Sequence, residues 1–121
     1  MTVKTIRHTG IVVSDMDRSL AFYRDLLGME VWADFRDDSD YVQAVTDIPG
    51  ANLWMVKLKA AEDNTSIELL QYLSHPGEVP PATRACDVGC NHVCLHVDDI
   101  DDLYEHLLAN EIRFHAPPTN S

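Results

Sequence analysis

The sequence predicts an α+β fold built on an internal repeat. Two stretches carry that expectation: RHTGIVVSDMDRSLAFYRDLLGMEV (Arg7 to Val31) and NHVCLHVDDIDDLYEHLLANEIRF (Asn91 to Phe114). Each sets a histidine two residues into a short apolar run, then passes through an acidic turn and an amphipathic helix to a second apolar run. The first copy continues through two further alternating runs, so its order is βαβ followed by two more strands.

In the first strand His8, Gly10 and Val12 share one face and Thr9, Ile11 and Val13 the other, because strand side chains alternate. Ser14 or Asp15 can cap the helix that follows. Its buried stripe is Leu20, Phe22, Tyr23, Leu26 and Leu27, and Gly28 closes it. A strand runs from Met29 to Phe35. DDSDYVQAVTDIPG reads as an acidic loop and a short helix stopped by Pro49 and Gly50. ANLWMVKLK and TSIELLQYL are two strands around the turn AAEDN. SHPGEVPPATRACDVGC, residues 74–90, holds three prolines and two glycines and reads as the linker between copies.

The second copy repeats the pattern. His92, Cys94 and His96 share a strand face opposite Val93, Leu95 and Val97. Asp98 or Asp99 caps a helix with the stripe Leu103, Leu107 and Leu108, Asn110 can close it, and a short strand runs from Ile112 to about His115. With His8 set on His92 the offset is 84, which pairs Ile11 with Leu95, Asp15 with Asp99 and Met16 with Ile100. Deleting one residue near Arg18 changes the offset to 83, and Leu20 then meets Leu103 and Val31 meets Phe114. The expected organisation is one domain over 1–121: module one 1–73, linker 74–90 and a partial module two 91–121.

A net charge of −11 would be repelled by phosphate backbones and anionic lipid, which argues against nucleic acid and membrane as partners. An anionic small substrate stays compatible, because a metal or a few basic residues can dominate locally. No run of about 18 apolar residues is present and the start lacks a signal-peptide core, so a cytoplasmic location is the expectation. Cys86, Cys90 and Cys94 are odd in number and not at zinc-finger spacing. They read as reduced thiols, with Cys94 packed in a strand.

Three residues stand out as carriers of chemistry. His8 and His92 hold equivalent places in the two copies, and pseudo-twofold pairing of their strands would bring both imidazoles to one cleft. Glu68 sits among Ile67, Leu69 and Leu70, where an unpartnered carboxylate is costly to desolvate. Two imidazoles and a carboxylate suit a divalent first-row metal. His96 shares the face of His92 and is a candidate cleft residue. His75, His106 and His115 read as solvated, DDIDDLYE as a helix start whose acids favour the dipole, and FRDDSD as a solvated loop.

The motifs H-x-G-I-x-V-x-D-x-x-x-S-x-x-F-Y-x-D-x-L-G-M-E-V (His8 to Val31), S-I-E-L-L-Q-Y (Ser66 to Tyr72) and N-H-V-C-L-H-V-D-D-I-D (Asn91 to Asp101) resemble the vicinal oxygen chelate superfamily. That family includes glyoxalase I, methylmalonyl-CoA epimerase, extradiol dioxygenases and the fosfomycin and bleomycin resistance proteins. The resemblance implies paired βαβββ modules whose mixed sheet curls around a metal cleft. It places His8, Glu68 and His92 on three of four usual ligand positions, with Zn, Ni, Co, Mn or Fe as the ion. A glutamate at 68 is similar to the glyoxalase I and epimerase branches. The implied activity is therefore a lyase or isomerase moving a proton beside a carbonyl, with Glu68 as ligand, base or both. A drug-binding protein of the bleomycin resistance type is the alternative, and an extradiol dioxygenase a weaker one. A homodimer is the expected assembly, with a small-molecule substrate as partner. Against the first copy as template, the second lacks its last two strands, where a fourth ligand belongs. The sequence therefore predicts that these 121 residues are not the whole native protein.

Overall fold

The computed structural model describes residues 1–62 and 64–121. Asp63, in the expected AAEDN turn, lies outside the described residues. The chain forms two compact units, Met1–Val79 and Pro80–Ser121, divided inside the expected linker.

The first unit contains strands β1 (His8–Val12), β2 (Glu30–Asp37), β3 (Leu53–Lys59) and β4 (Ser66–Tyr72), with helices α1 (Met16–Leu20) and α2 (Asp40–Thr46). Their sheet order is β1-β4-β3-β2. β1 runs parallel to β4, and β4, β3 and β2 are antiparallel neighbours. This is the expected βαβ unit with two added strands, a curled open mixed sheet of the α+β class.

Asp15 caps α1, its carboxylate accepting from Arg18 N at 3.1 Å. The helix then widens without a break into a π-helical turn, Ala21–Leu26. Gly28 closes it at φ +70°, a conformation that penalises any residue with a Cβ. One face of the sheet packs on this helix. Met16, Leu20, Met29, Val56, Leu58, Ile67 and Leu69 form the core, with Tyr23 and Leu27 against it. The expected stripe holds at Leu20, while Phe22 and Leu26 are only half-buried and Met16 is fully buried. Met16 follows directly on the cap, where the apolar spacing gives little warning of burial. At that point Gln71 Oε1 accepts from Met16 N at 2.7 Å, tying the start of α1 to β4. Gln71→Leu leaves that donor without its partner. A destabilisation of about 1–2 kcal/mol is expected, read from the midpoint of urea denaturation with the slope unchanged.

The opposite face of the sheet has a smaller core at one end, where Val42, Ala51 and Leu53 are buried with Leu70 and Tyr72 beside them. Ser39 caps α2 by accepting from Val42 N, and Asp47 ends it at φ 55°. At the other end of this face alternation places His8, Glu68 and Lys57.

In the second unit α3 (Ile100–Ala109) is capped by Asp99, which accepts from Asp102 N at 3.0 Å. Asn110 occupies the C-cap, but Glu111 takes the left-handed conformation at φ 63°. Leu107 is buried and Leu103 half-buried. Leu108 is exposed, because it lies about 100° around the helix from Leu107. The strands expected at 91–97 and 112–115 do not form. An extended segment becomes a strand only when a neighbour completes its ladder, and this unit contains one helix and irregular backbone. Cys94 is accordingly exposed and not packed in a strand. Among the described residues no helix is long and apolar enough to cross a membrane.

Candidate functional site

Glu68 lies in β4 between β1 and β3, in register with Gly10 on one side and Lys57 on the other. Ile67 and Leu69 turn to the helix-covered core, so Glu68 points to the other face. Its side chain is only 11 % exposed, so the carboxylate is largely desolvated. Lys57 compensates for that desolvation, with Nζ 3.3 Å from Oε2, and His8 Nε2 lies 3.9 Å from Oε1.

His8 enters from the parallel strand β1, where a Cβ on Gly10, the next position on the same face, would meet Leu70 Cδ1 at 3.4 Å. Lys57 comes from β3, directly opposite Glu68 in the antiparallel ladder. The fourth element is a β-bulge in β2. Val31 pairs with Leu58 and Ala33 with Lys57, leaving Trp32 as the extra residue. The bulge turns Trp32 to the Glu68 face, where its indole Nε1 donates to Ser66 Oγ at 3.2 Å and its ring lies 5.4 Å from Lys57 Nζ. An open groove of about 280 Å³ adjoins these groups, lined by Arg7, His8, Trp32, Lys57 and Ser66 among others.

The structure thus brings together two of the expected residues, His8 and Glu68. His92 and His96 belong to the second unit, exposed on irregular backbone. Among the described residues no three His, Cys, Asp or Glu side chains are gathered as a metal site. The His8–Glu68 pair nevertheless has the right donor chemistry and nearly the right spacing. Two donors about 2.1 Å from one tetrahedral ion stand roughly 3.4 Å apart, against 3.9 Å here. Lys57 and Trp32 were missed by reading the sequence. The available signal was a lysine inside the apolar run LWMVKLK, the counterpart of the glutamate inside SIELLQY.

The chain is 24% identical over 106 residues to 2-epi-5-epi-valiolone epimerase from an Actinomyces species, covering 86% of this chain and 57% of that protein. It is 28% identical over 111 residues to mitochondrial methylmalonyl-CoA epimerase of Mus musculus, covering 89% and 54%. The chain therefore spans little more than half the length of these relatives. Among solved structures, a glyoxalase family protein from Bacillus cereus superposes with a TM-score of 0.74 at 18% identity, over 91% of this chain and 74% of that one, a likeness of fold. The family model for the glyoxalase/bleomycin resistance protein/dioxygenase superfamily matches residues 7–120, and the chain belongs to that superfamily.

Proposed function

We propose that this chain forms the site of a metal-dependent lyase or isomerase that moves a proton beside a carbonyl, as the names of its epimerase relatives suggest. One observation carries the reading: a buried glutamate with an imidazole 3.9 Å from one of its oxygens, on adjacent parallel strands. His8, Glu68 and His92 are the residues that would hold the ion, with Zn, Ni, Co, Mn or Fe compatible with two imidazoles and a carboxylate. When bound, the ion polarises the substrate's carbonyl oxygen and lowers the cost of removing the neighbouring proton.

The chain's own groups do the rest. Glu68 Oε2, the oxygen turned away from His8, takes up the proton and returns it. His8 presents Nε2 to the site. The burial of Glu68, 9 % exposed, limits water around the carboxylate and strengthens each electrostatic contact there.

The test is deuterium exchange in D2O, with metal-loaded protein given methylmalonyl-CoA or the hemithioacetal of methylglyoxal and glutathione. Proton transfer writes deuterium onto the carbon beside the carbonyl, detected by NMR. Glu68→Gln is expected to slow this by about 100-fold or more, the usual worth of a positioned general base. Absence of exchange with both compounds, together with tight binding of an unrelated small molecule, supports the drug-binding alternative.

A further inference from the structure

We infer that Lys57, set against Trp32, is the residue that selects an anionic substrate, one bearing a carboxylate or phosphate group, at the proton-transfer site proposed above. The inference rests on that reading for its location and on charge for its content. The chain carries 20 acidic and 9 basic residues, so its overall field repels anions. Two of the nine, Arg7 and Lys57, line the groove that touches His8 and Ser66.

Lys57 is not an ordinary surface lysine. Its side chain is 25 % exposed, its ammonium is 3.3 Å from Glu68 Oε2, and the indole of Trp32 flanks it at 5.4 Å. The ring restricts where that ammonium can go, because a cation is held over an aromatic face. The groove wall around it offers the Ser66 hydroxyl and the Asn64 amide as further polar partners for anion oxygens.

At rest the site is locally neutral: one ammonium answers one carboxylate. Anything that engages Glu68 removes that balance. A divalent ion, held by His8 and Glu68, would add two positive charges, more than the carboxylate carries, and would leave Lys57 an unmatched cation. An anionic group in the groove would offset that excess and gain a charge-assisted bond. The same exchange frees Oε2 for the proton. Lys57 therefore couples occupancy of the site to choice of substrate, and an uncharged analogue of the same shape finds an unpaired, half-buried ammonium instead of a partner.

Binding of malonate and of inorganic phosphate to metal-free protein tests this, because removing the charge of Glu68 by substitution releases Lys57 without any ion. By titration calorimetry at low ionic strength, Glu68→Gln is expected to bind one of the two at least about 10-fold more tightly than wild type, the worth of one charge-assisted bond. Adding Lys57→Met should abolish that gain, and adding Lys57→Arg should retain it. Preference for malonate assigns a carboxylate, preference for phosphate a phosphoryl group. Circular dichroism checks that each variant is folded, and the arginine variant keeps the test valid where methionine disturbs the strand. The proposal is overturned if the double variant with methionine binds as tightly as Glu68→Gln alone, or if Glu68→Gln shows no gain. Failure of the metal reading shows elsewhere, in the metal content of wild type.

Discussion

Alanine at His8 is expected to strip the protein of metal during dialysis, and alanine at His92 to do the same. Zinc held by four protein ligands is worth about 10–16 kcal/mol at neutral pH. One ligand thus accounts for roughly 3 kcal/mol, and its removal weakens binding by about 100-fold. Elemental analysis after dialysis is the measurement. His8 sits on β1 at the open side of Glu68, and its replacement removes no buried side chain, so the fold should survive. Unchanged metal in both variants sinks the ligand set. Loss in His8→Ala alone keeps the first unit's pair and removes His92.

Leu69→Ala should be the most destabilising single truncation in the first unit. Leu69 is fully buried in β4, the strand that pairs with both β1 and β3, and it lies in the core beneath α1. Truncation there removes transfer energy and leaves a cavity that strands on both sides keep from collapsing. The expected loss is about 3–4 kcal/mol. At a urea slope near ~1.5 kcal/mol/M that lowers the midpoint by roughly 2 M. Val12→Ala supplies the contrast, because Val12 is 66 % exposed on β1. Its cost is expected within about 0.5 kcal/mol. Equal effects at the two positions would mean that the core does not lie where the buried residues place it.

Legibility in the sequence followed the range of the interactions. Caps were legible because an aspartate three residues before the backbone N–H it accepts from is a local event, and Asp15, Asp99 and Gly28 each take a role the sequence offered them. The alternation that set Ile11 and Val13 on one face of the first strand holds for the same reason, and both pack against the core. The segments 91–97 and 112–115 have good strand composition and no ladder, since pairing depends on a neighbour that composition does not supply. Trp32 was out of reach too. Whether a tryptophan in β2 faces the helix or the glutamate depends on one bulged residue, and a one-residue shift reverses the face.

The widened turn at Ala21–Leu26 settles an arithmetic oddity of the two copies. Each helix starts from an aspartate cap and ends at a left-handed residue, Asp15 to Gly28 in the first and Asp99 to Glu111 in the second: thirteen steps against twelve. The closing hydrogen bonds carry the same difference. Glu111 N and Ile112 N reach back to Leu108 O and Leu107 O, whereas Gly28 N and Met29 N reach to Arg24 O and Tyr23 O, one residue further in each case. A π-helical turn is how a helix stores one surplus residue without disturbing either of its ends. The gap near Arg18 that the alignment needs thus has a physical counterpart, one surplus residue held inside the first helix. There the extra length costs one turn its regularity, and the caps on either side keep their places.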